Sequence, residues 1–305
     1  MSAQKIIIAT RKSKLALWQS NFVKFELEKK YPELKVELMT IETQGDLNQV
    51  DAYSKINGKS IFVKALQETL LDHRADLAVH SIKDMSVHPV KNLLLTAVCK
   101  REDAHDAFIS EKYIDLDALP AKAVIGSSSP RRTALLRSIR RDIQIKLLRG
   151  NVDTRIQKLQ SGEYDAIVLA AAGLKRLGLT DHIKSYFSIE TFIPAIGQGA
   201  IGIECRESDL KMREITQFLN HAQSQQCIIA ERMVNHILNG NCNTPIGAYA
   251  ITNGHKMKLR AILANDDGSI ILQSELIGSC DDPEKIGEQV AKDLLKQGAK
   301  KLCLS

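Results

Sequence analysis

Short apolar runs of strand length alternate with amphipathic helical runs over the first two thirds of the chain. The apolar run 6–9 is followed by a stretch whose apolar residues recur at helical spacing, namely Leu15, Trp18, Phe22 and Phe25. Further runs lie at 36–41, 62–71, 76–80 and 93–98, the second of them helical. This order predicts βαβ units, and therefore a mainly parallel sheet with helices on its faces.

A second set of the same kind begins near Asp106. Strands are predicted at 123–126, 144–148 and 165–170, with a helix at 152–160. Ser129 followed by Pro130 predicts another helix start, because a hydroxyl N-cap precedes proline at the first helical position. The run 200–204 predicts one more strand, which returns to the first sheet. The chain would then cross twice between two α/β domains, as in periplasmic binding proteins that hinge around a cleft.

The last part of the chain has a different pattern. A helix at 226–238, which Gly240 is expected to end in a left-handed conformation, precedes three strands at 247–252, 257–264 and 270–277. Turn sequences separate these strands, and a helix is predicted at 283–297. We therefore expect two doubly linked α/β domains of the periplasmic-binding-protein type and a small C-terminal α+β domain. The expected boundaries are 1–100 with 198–220, then 101–197, then 221–305.

Composition narrows the classes of function. No apolar run approaches the ~20 residues of a membrane span, and the N-terminus lacks the apolar region of a signal peptide. The six cysteines are scattered without CxxC pairs, which argues against a zinc site and a disulfide framework and suits a reducing cytoplasm. The expectation is a cytoplasmic protein with no metal and no membrane partner.

The formal net charge is +6, but the basic residues stand singly or in pairs at the ends of elements. This placement favours a small polyanionic ligand over nucleic acid, which would need a basic run or patch. Basic and hydroxyl residues mark four strand-to-helix junctions: Arg11 and Ser13; Ser129, Arg131 and Arg132; Arg149 and Arg155; and Arg176. Ligands of open α/β sheets bind at the carboxyl ends of strands, and arginine pairs bidentately with carboxylates. The alternative is a set of solvated surface arginines.

Two further residues are candidates for chemistry. Cys242 lies on a loop between glycine and proline, where its sulfur could be presented to a cleft; the alternative is a structural cysteine. Asp84 follows the strand 76–80, and among arginines its carboxylate would stay ionised and could steady a cation or move a proton. The polar segment 46–60, with Lys55 and Lys59, is either a mobile lid or a surface loop.

One motif is a decoy. Residues 197–202 satisfy GxGxxG, but a proline precedes them and a strand-like run follows. The dinucleotide-binding motif needs a strand before it and a helix after it, so these glycines are expected to form a tight crossover.

Several stretches together resemble one family. They are ATRKSKLALWQ (9–19), GKSIFVKALQ (58–67), ADLAVHSIKDM (75–85), REDAHDAFIS (101–110), GSSSPRR (126–132), LRGNVDTRIQKLQSGEYDAIVLAAAGLKRLG (148–178), PAIGQGAIGIECR (194–206) and ERMVNHILNGNCNTPIGAY (231–249). The chain resembles the porphobilinogen deaminases, also called hydroxymethylbilane synthases, over essentially its whole length.

The resemblance implies a monomeric three-domain transferase of tetrapyrrole biosynthesis. It would condense four porphobilinogen units into hydroxymethylbilane on a covalent dipyrromethane cofactor, held by a thioether to Cys242. Asp84 would be the catalytic carboxylate, and Lys83 and Ser81 would hold cofactor side chains. The remaining residues would bind the acetate and propionate groups of the cofactor and the growing polypyrrole chain: Arg11, Ser13, Ser129, Arg131, Arg132, Arg149, Arg155 and Arg176.

Some positions depart from the family's usual pattern: Lys14, Gln44, Asn57, Ser60, Pro130 and Asn241. None of them removes a proposed catalytic group. Two other classes of function stay open on the residues alone. A non-catalytic polycarboxylate-binding protein would need neither Cys242 nor Asp84, and a DNA-binding protein would show steep salt dependence.

Overall fold

The computed structural model describes residues 4–41, 58–241 and 243–303. The chain divides into two compact units, Met1–Glu102 with Ala200–Gln225 and Asp103–Gly199 with Gln226–Ser305. In the described ranges, no helix has both the length and the apolar character needed to cross a membrane.

The elements of the described part of the chain are numbered in chain order. The strands are β1 (Gln4–Arg11), β2 (Leu34–Ile41), β3 (Leu77–Ser81), β4 (Leu93–Val98), β5 (Asp106–Ile109), β6 (Val124–Gly126), β7 (Gln144–Lys146), β8 (Ala166–Ala170), β9 (Ile183–Tyr186), β10 (Ile201–Arg206), β11 (Ile246–Asn253), β12 (Lys256–Ala264) and β13 (Ile271–Ser279). The α-helices are α1 (Lys14–Lys30), α2 (Gly58–Leu71), α3 (Pro130–Ile139), α4 (Val152–Gln160), α5 (Ala171–Arg176), α6 (Leu210–Thr216), α7 (Ala222–Leu238), α8 (Pro283–Lys296) and α9 (Ala299–Cys303).

The first unit is built on a five-stranded sheet of order β2-β1-β3-β10-β4. β1 is parallel to both β2 and β3, whereas β10 is antiparallel to β3 and β4. The predicted return of 200–204 to this sheet is confirmed, but the sheet is mixed rather than mainly parallel. β3 and β10 are separated by β4 to β9, so no single βαβ crossover fixes their relative direction.

Alternating side chains of β1 serve two layers of core. Ile6 and Ile8 are buried in one cluster with Val23 and Leu27 of α1, and Ala9 is buried in another with residues of α2. Of the apolar residues at helical spacing in α1, Phe22 packs against the first of these clusters. Trp18 and Phe25 are 38% and 61% exposed. Val23 and Leu27 are buried against the sheet, and Gln19 on the same side of the helix hydrogen-bonds to Ser81 of β3.

The second unit contains a five-stranded sheet of order β7-β6-β8-β5-β9. β6 is parallel to β7 and β8, and β5 is antiparallel to β8 and β9. The sequence did not predict β5 or β9, since each has only four residues and shows no alternation. This sheet is also mixed, with its three parallel strands side by side.

The C-terminal part of the second unit is an antiparallel meander, β11-β12-β13, with α8 packed against it. Gly254 and Gly268 take positive φ at the two hairpin turns, as the turn sequences predict. Ile262 of β12 is buried in one cluster with Phe108 of the larger sheet, so both sheets of this unit share core. The α/β class with a small C-terminal α+β part is confirmed, and the three-domain division stays a prediction.

Candidate functional site

Two neighbouring parallel strands of the first unit bring predicted site residues to one edge of the sheet. β1 ends at Arg11, and β3, which pairs with it in parallel register, ends at Ser81. Ser13 caps α1, with its Oγ accepting a hydrogen bond from the Ala16 amide at 3.3 Å. A 3-10 turn over Ile82–Asp84 follows β3 directly and carries Lys83 and Asp84. The carboxyl-end edge of this sheet therefore holds five of the predicted site residues, namely Arg11, Ser13, Ser81, Lys83 and Asp84.

The end of β3 is tied to α1 by a pair of side-chain hydrogen bonds. Gln19 Nε2 donates to Ser81 Oγ at 2.9 Å, and Ser81 Oγ donates to Gln19 Oε1 at 3.2 Å. Gln19 is buried. Sequence reasoning missed it, because a lone glutamine in an amphipathic helix gives no signal of a partner 62 residues away. The side chain of Ser81, at the end of β3, is therefore held in place by α1.

Two loops meet at the corresponding edge of the second unit. The Ser127 amide donates to the Lys146 carbonyl at 3.0 Å, and the Leu148 amide donates to the Ser127 carbonyl at 3.3 Å. These bonds extend the β6–β7 pairing and bring Arg149 beside the segment that leads to Ser129. Ser129 caps α3 as predicted, with Oγ accepting from the Arg132 amide and Pro130 in the first turn.

The first turn of α3 sends two arginines into the protein interior, where they meet Asp106. Arg131 Nη2 lies 2.8 Å from Asp106 Oδ2, and Arg132 Nη2 lies 2.7 Å from Oδ1. Gln198 Nε2 donates to Oδ1 at 3.1 Å. Burial opposes ionisation of Asp106, but the two guanidinium groups and the Gln198 amide outweigh it and lower the pKa of this carboxyl to about 2.

Both arginines also bind backbone carbonyls. Arg131 Nη1 donates to Ile193 at 2.7 Å, and Arg132 Nη1 donates to Val168 at 2.9 Å. The sequence placed these two residues at a helix start to receive a ligand, and the structure adds an internal carboxylate that fixes them. Sequence reasoning missed this partner, since Asp106 begins a strand of only four residues, which is too short to recognise.

The remaining predicted arginines of this unit lie near the same strand ends. Arg155 Nε donates to the carbonyl of Gly150, which has φ +114, at 2.7 Å. Arg176, the last residue of α5, donates from Nη2 to the Gly199 carbonyl at 2.7 Å. Arg149, Arg155 and Arg176 are all half-buried. The segment 197–202 forms a turn that leads into β10 rather than a helix, as expected for the decoy motif.

Cys242 lies outside the described residues, but its neighbours on both sides are described. Asn241 Oδ1 accepts from the Asn243 amide at 2.8 Å, and Thr244 Oγ1 accepts from the Asn241 amide at 3.0 Å. Asn241, which departs from the family's usual residue, thus stabilises a local turn with its side chain and its backbone amide. The left-handed residue at the end of α7 is Asn239, with φ +51, so the expectation for Gly240 was wrong. Gly240 serves close packing instead, because a Cβ there would lie 2.4 Å from Asn235 Oδ1.

Other predictions fall partly or wholly outside the described residues. The proposed lid residue Lys55 does so, and Lys59 lies in α2 with its side chain not described.

Four other cysteines are buried as thiols: Cys99, Cys205, Cys227 and Cys280. Burial raises the pKa of Cys205 to about 11, so that thiol is a poor nucleophile at neutral pH. Among described side chains, no group of three or more His, Cys, Asp or Glu is arranged to hold a metal ion.

Two family models match the chain. The porphobilinogen deaminase dipyrromethane cofactor binding domain matches residues 6–214, and the porphobilinogen deaminase C-terminal domain matches residues 225–296. The chain belongs to the porphobilinogen deaminase family. It is therefore a transferase of tetrapyrrole biosynthesis with a dipyrromethane cofactor.

Solved structures similar to this deaminase-family chain include solute-binding proteins. The methionine-binding protein MetQ is 14% identical, with 73% of this chain and 90% of that one covered and a TM-score of 0.46. A nutrient-binding protein from Burkholderia cenocepacia bound to methionine is 13% identical, with 70% and 90% covered and a TM-score of 0.44. A periplasmic substrate-binding protein from Coxiella burnetii is 15% identical, with 70% and 91% covered and a TM-score of 0.44. With TM-scores below 0.5, these proteins do not indicate a function for this chain.

The residues of this deaminase-family chain fit a dipyrromethane, whose pyrrole rings carry carboxylate side chains. The donors at both sheet edges are guanidinium, ammonium and hydroxyl groups, which suit carboxylates. The buried Nε of Arg131 has no hydrogen-bond partner among the described residues, so one N–H donor in this set remains available.

Proposed function

We propose that this protein is a hydroxymethylbilane synthase that condenses four porphobilinogen molecules head to tail on a dipyrromethane primer bound to Cys242. In each condensation the aminomethyl C–N bond breaks and ammonia leaves. A C–C bond then forms to the free α-carbon of the preceding ring, and that carbon releases its proton. Hydrolysis would then release the finished tetrapyrrole, with the hydroxyl of water on its terminal methylene. When bound, the dipyrromethane supplies the free pyrrole end that accepts the first ring.

The observation that carries this proposal is the position of Asp84 within a chain matched almost throughout by the deaminase models. Asp84 lies on a 3-10 turn at the carboxyl-end edge of a sheet, beside Lys83 and at the same edge as the end of β1 and the start of α1. We infer that this half-buried carboxylate would accept hydrogen bonds from pyrrole N–H groups. It would also stabilise the cation left on porphobilinogen when ammonia departs.

The basic residues would bind the carboxylates of the pyrrole side chains. They are, in chain order, Arg11, Ser13, Ser81, Lys83, Ser129, Arg131, Arg132, Arg149, Arg155 and Arg176. Each added ring brings two more carboxylates, which explains why one ligand would need so many cationic groups.

A test uses the purified protein and porphobilinogen. The proposal expects four ammonia molecules released for each hydroxymethylbilane formed. A polycarboxylate-binding protein would instead bind porphobilinogen without releasing ammonia, and that result would overturn the proposal.

We further expect a cytoplasmic monomer without nucleic-acid partners. Light scattering after gel filtration and salt titrations of duplex DNA binding would check the monomer and the nucleic-acid expectations.

A further inference from the structure

Three polar side chains form a buried cluster in the first unit. One of them lies on β3, the strand that leads to Asp84. His80 Nε2 lies 3.1 Å from Glu204 Oε2. Gln67 Nε2 donates to both carboxylate oxygens of Glu204, at 3.0 and 3.2 Å. The side chains of His80 and Glu204 are 2% and 5% exposed, and Gln67 is also buried. The cluster joins three elements, namely β3, β10 and α2.

The cluster fixes the last residues of β3 from one face of the sheet. His80 immediately precedes Ser81, whose side chain lies on the opposite face and is bound by Gln19 of α1. The next residue, Ile82, donates its amide to the Ala200 carbonyl at 3.1 Å. A Cβ at Gly202, which pairs with His80, would lie 3.0 Å from Ile82 Cγ1. The start of the Asp84 turn is therefore held from both faces of the sheet and by its neighbouring strand.

Stability alone is a weak reason for such a cluster. Apolar residues of similar volume can replace a buried ionic network with little loss of stability. A fully satisfied polar network instead selects one geometry, since each member has few acceptable partners and directions.

We propose that His80, Glu204 and Gln67 are positioning residues for Asp84. They hold the backbone of β3 so that the turn Ile82–Asp84 presents its carboxylate in one orientation. They also tie that turn to α2, the helix that carries Gln67. This role rests on the deaminase reaction proposed above.

The direct test replaces the whole cluster with apolar side chains, in the variant Gln67→Leu/His80→Leu/Glu204→Leu. No charge or donor is left unpaired, so the thermal midpoint and the cofactor content by intact mass should stay near those of the wild type. The kcat for porphobilinogen should fall by about tenfold to a hundredfold, as expected for a small misplacement of a reacting group. The KM should change little, because the proposed carboxylate-binding residues are untouched.

A matched control removes another buried polar pair from the same unit. Thr96 Oγ1 and Thr216 Oγ1 lie 3.2 Å apart, on β4 and α6, and both residues are buried. Thr96→Val/Thr216→Val should keep the wild-type kcat. A folded triple variant with the wild-type kcat would overturn the positioning role.

A single variant keeps the proposal testable if the triple variant fails to fold. Gln67→Met removes only the amide at similar side-chain length, and it should lower kcat several-fold with KM unchanged. Wild-type kcat in Gln67→Met would then overturn the role. Failure of the proposed function looks different, because the wild-type protein itself would release no ammonia from porphobilinogen, and the positioning role would fall with it.

Discussion

Asp106 and Arg131 form an ion pair in the interior of the second unit, with Oδ2 and Nη2 2.8 Å apart and the carboxyl side chain fully buried. Arg132 binds the other oxygen of the same carboxylate. One aspartate thereby orients two arginines in the first turn of α3. The pair links the folding of this unit to the placement of its proposed carboxylate-binding groups.

Replacing this aspartate should destabilise the protein strongly. Asp106→Asn leaves two buried guanidinium groups without their counter-charge, which typically costs about 3–5 kcal/mol. Urea unfolding at neutral pH would measure the loss. Asp142→Asn is the matched control, because Asp142 pairs with Arg140 at the surface and should matter far less. Equal stability of both variants would contradict the structural role of Asp106.

The same carboxylate should make stability depend on acid pH. Its pKa is lowered from 3.8 to about 2 in the folded protein. Because the folded pKa is the lower one, the stabilisation is present above the unfolded pKa and is lost as pH falls from about 4 to about 2. Urea unfolding of the wild type and of Asp106→Asn across this range should show a smaller acid loss in the variant. Parallel curves would count against the assignment.

Asp84 should matter for catalysis far more than for folding. It is half-buried on a short turn rather than within the core. Asp84→Asn keeps the shape but removes the charge, so turnover should fall by roughly 10²–10³ as preorganised electrostatic stabilisation is lost. The thermal midpoint should shift little. Ammonia release and calorimetry check both parts, and near-normal turnover would refute the role.

Arg149 and Arg176 are expected to act on chain elongation. Each arginine would pair with a carboxylate of the growing chain. Removing one partner of a buried charge pair typically costs about 2–5 kcal/mol of binding free energy, which is enough to stall one elongation step. Arg149→Ala and Arg176→Ala should therefore retain the cofactor but accumulate enzyme with a partial chain. Mass spectra after brief exposure to porphobilinogen would show this, with Arg141→Ala, an exposed arginine of the same unit, as control. If both variants gave the same mass spectra as the wild type, Arg149 and Arg176 would be surface charges only, and the elongation role would be wrong.

The sequence predicted much of the fold because long periodic runs and local signals determine it. The helix at 152–160 and the strand at 93–98 have the predicted bounds, and the Ser129 cap and both hairpin glycines depend only on neighbouring residues. The direction of β10 was missed, since strand orientation depends on contacts distant in sequence.

The candidate site was predictable only as residue types at strand ends. Parallel strands gather those ends, so the arginines, Ser13 and Asp84 could be placed at sheet edges in advance. Their supporting residues could not be predicted. Gln19 contacts Ser81, 62 residues away, and Glu204 contacts His80, 124 residues away. Single polar residues in buried elements show no pattern that reveals such partners.

The attachment of the cofactor to Cys242 is the central claim, and the intact mass of the purified protein tests it most directly. The wild type should exceed the mass of its 305-residue chain by that of a dipyrromethane. Cys242→Ser should have the bare chain mass and no turnover, whereas Cys205→Ala, at a buried thiol with a raised pKa, should keep the added mass. An unmodified wild-type protein that nevertheless converts porphobilinogen would contradict the account.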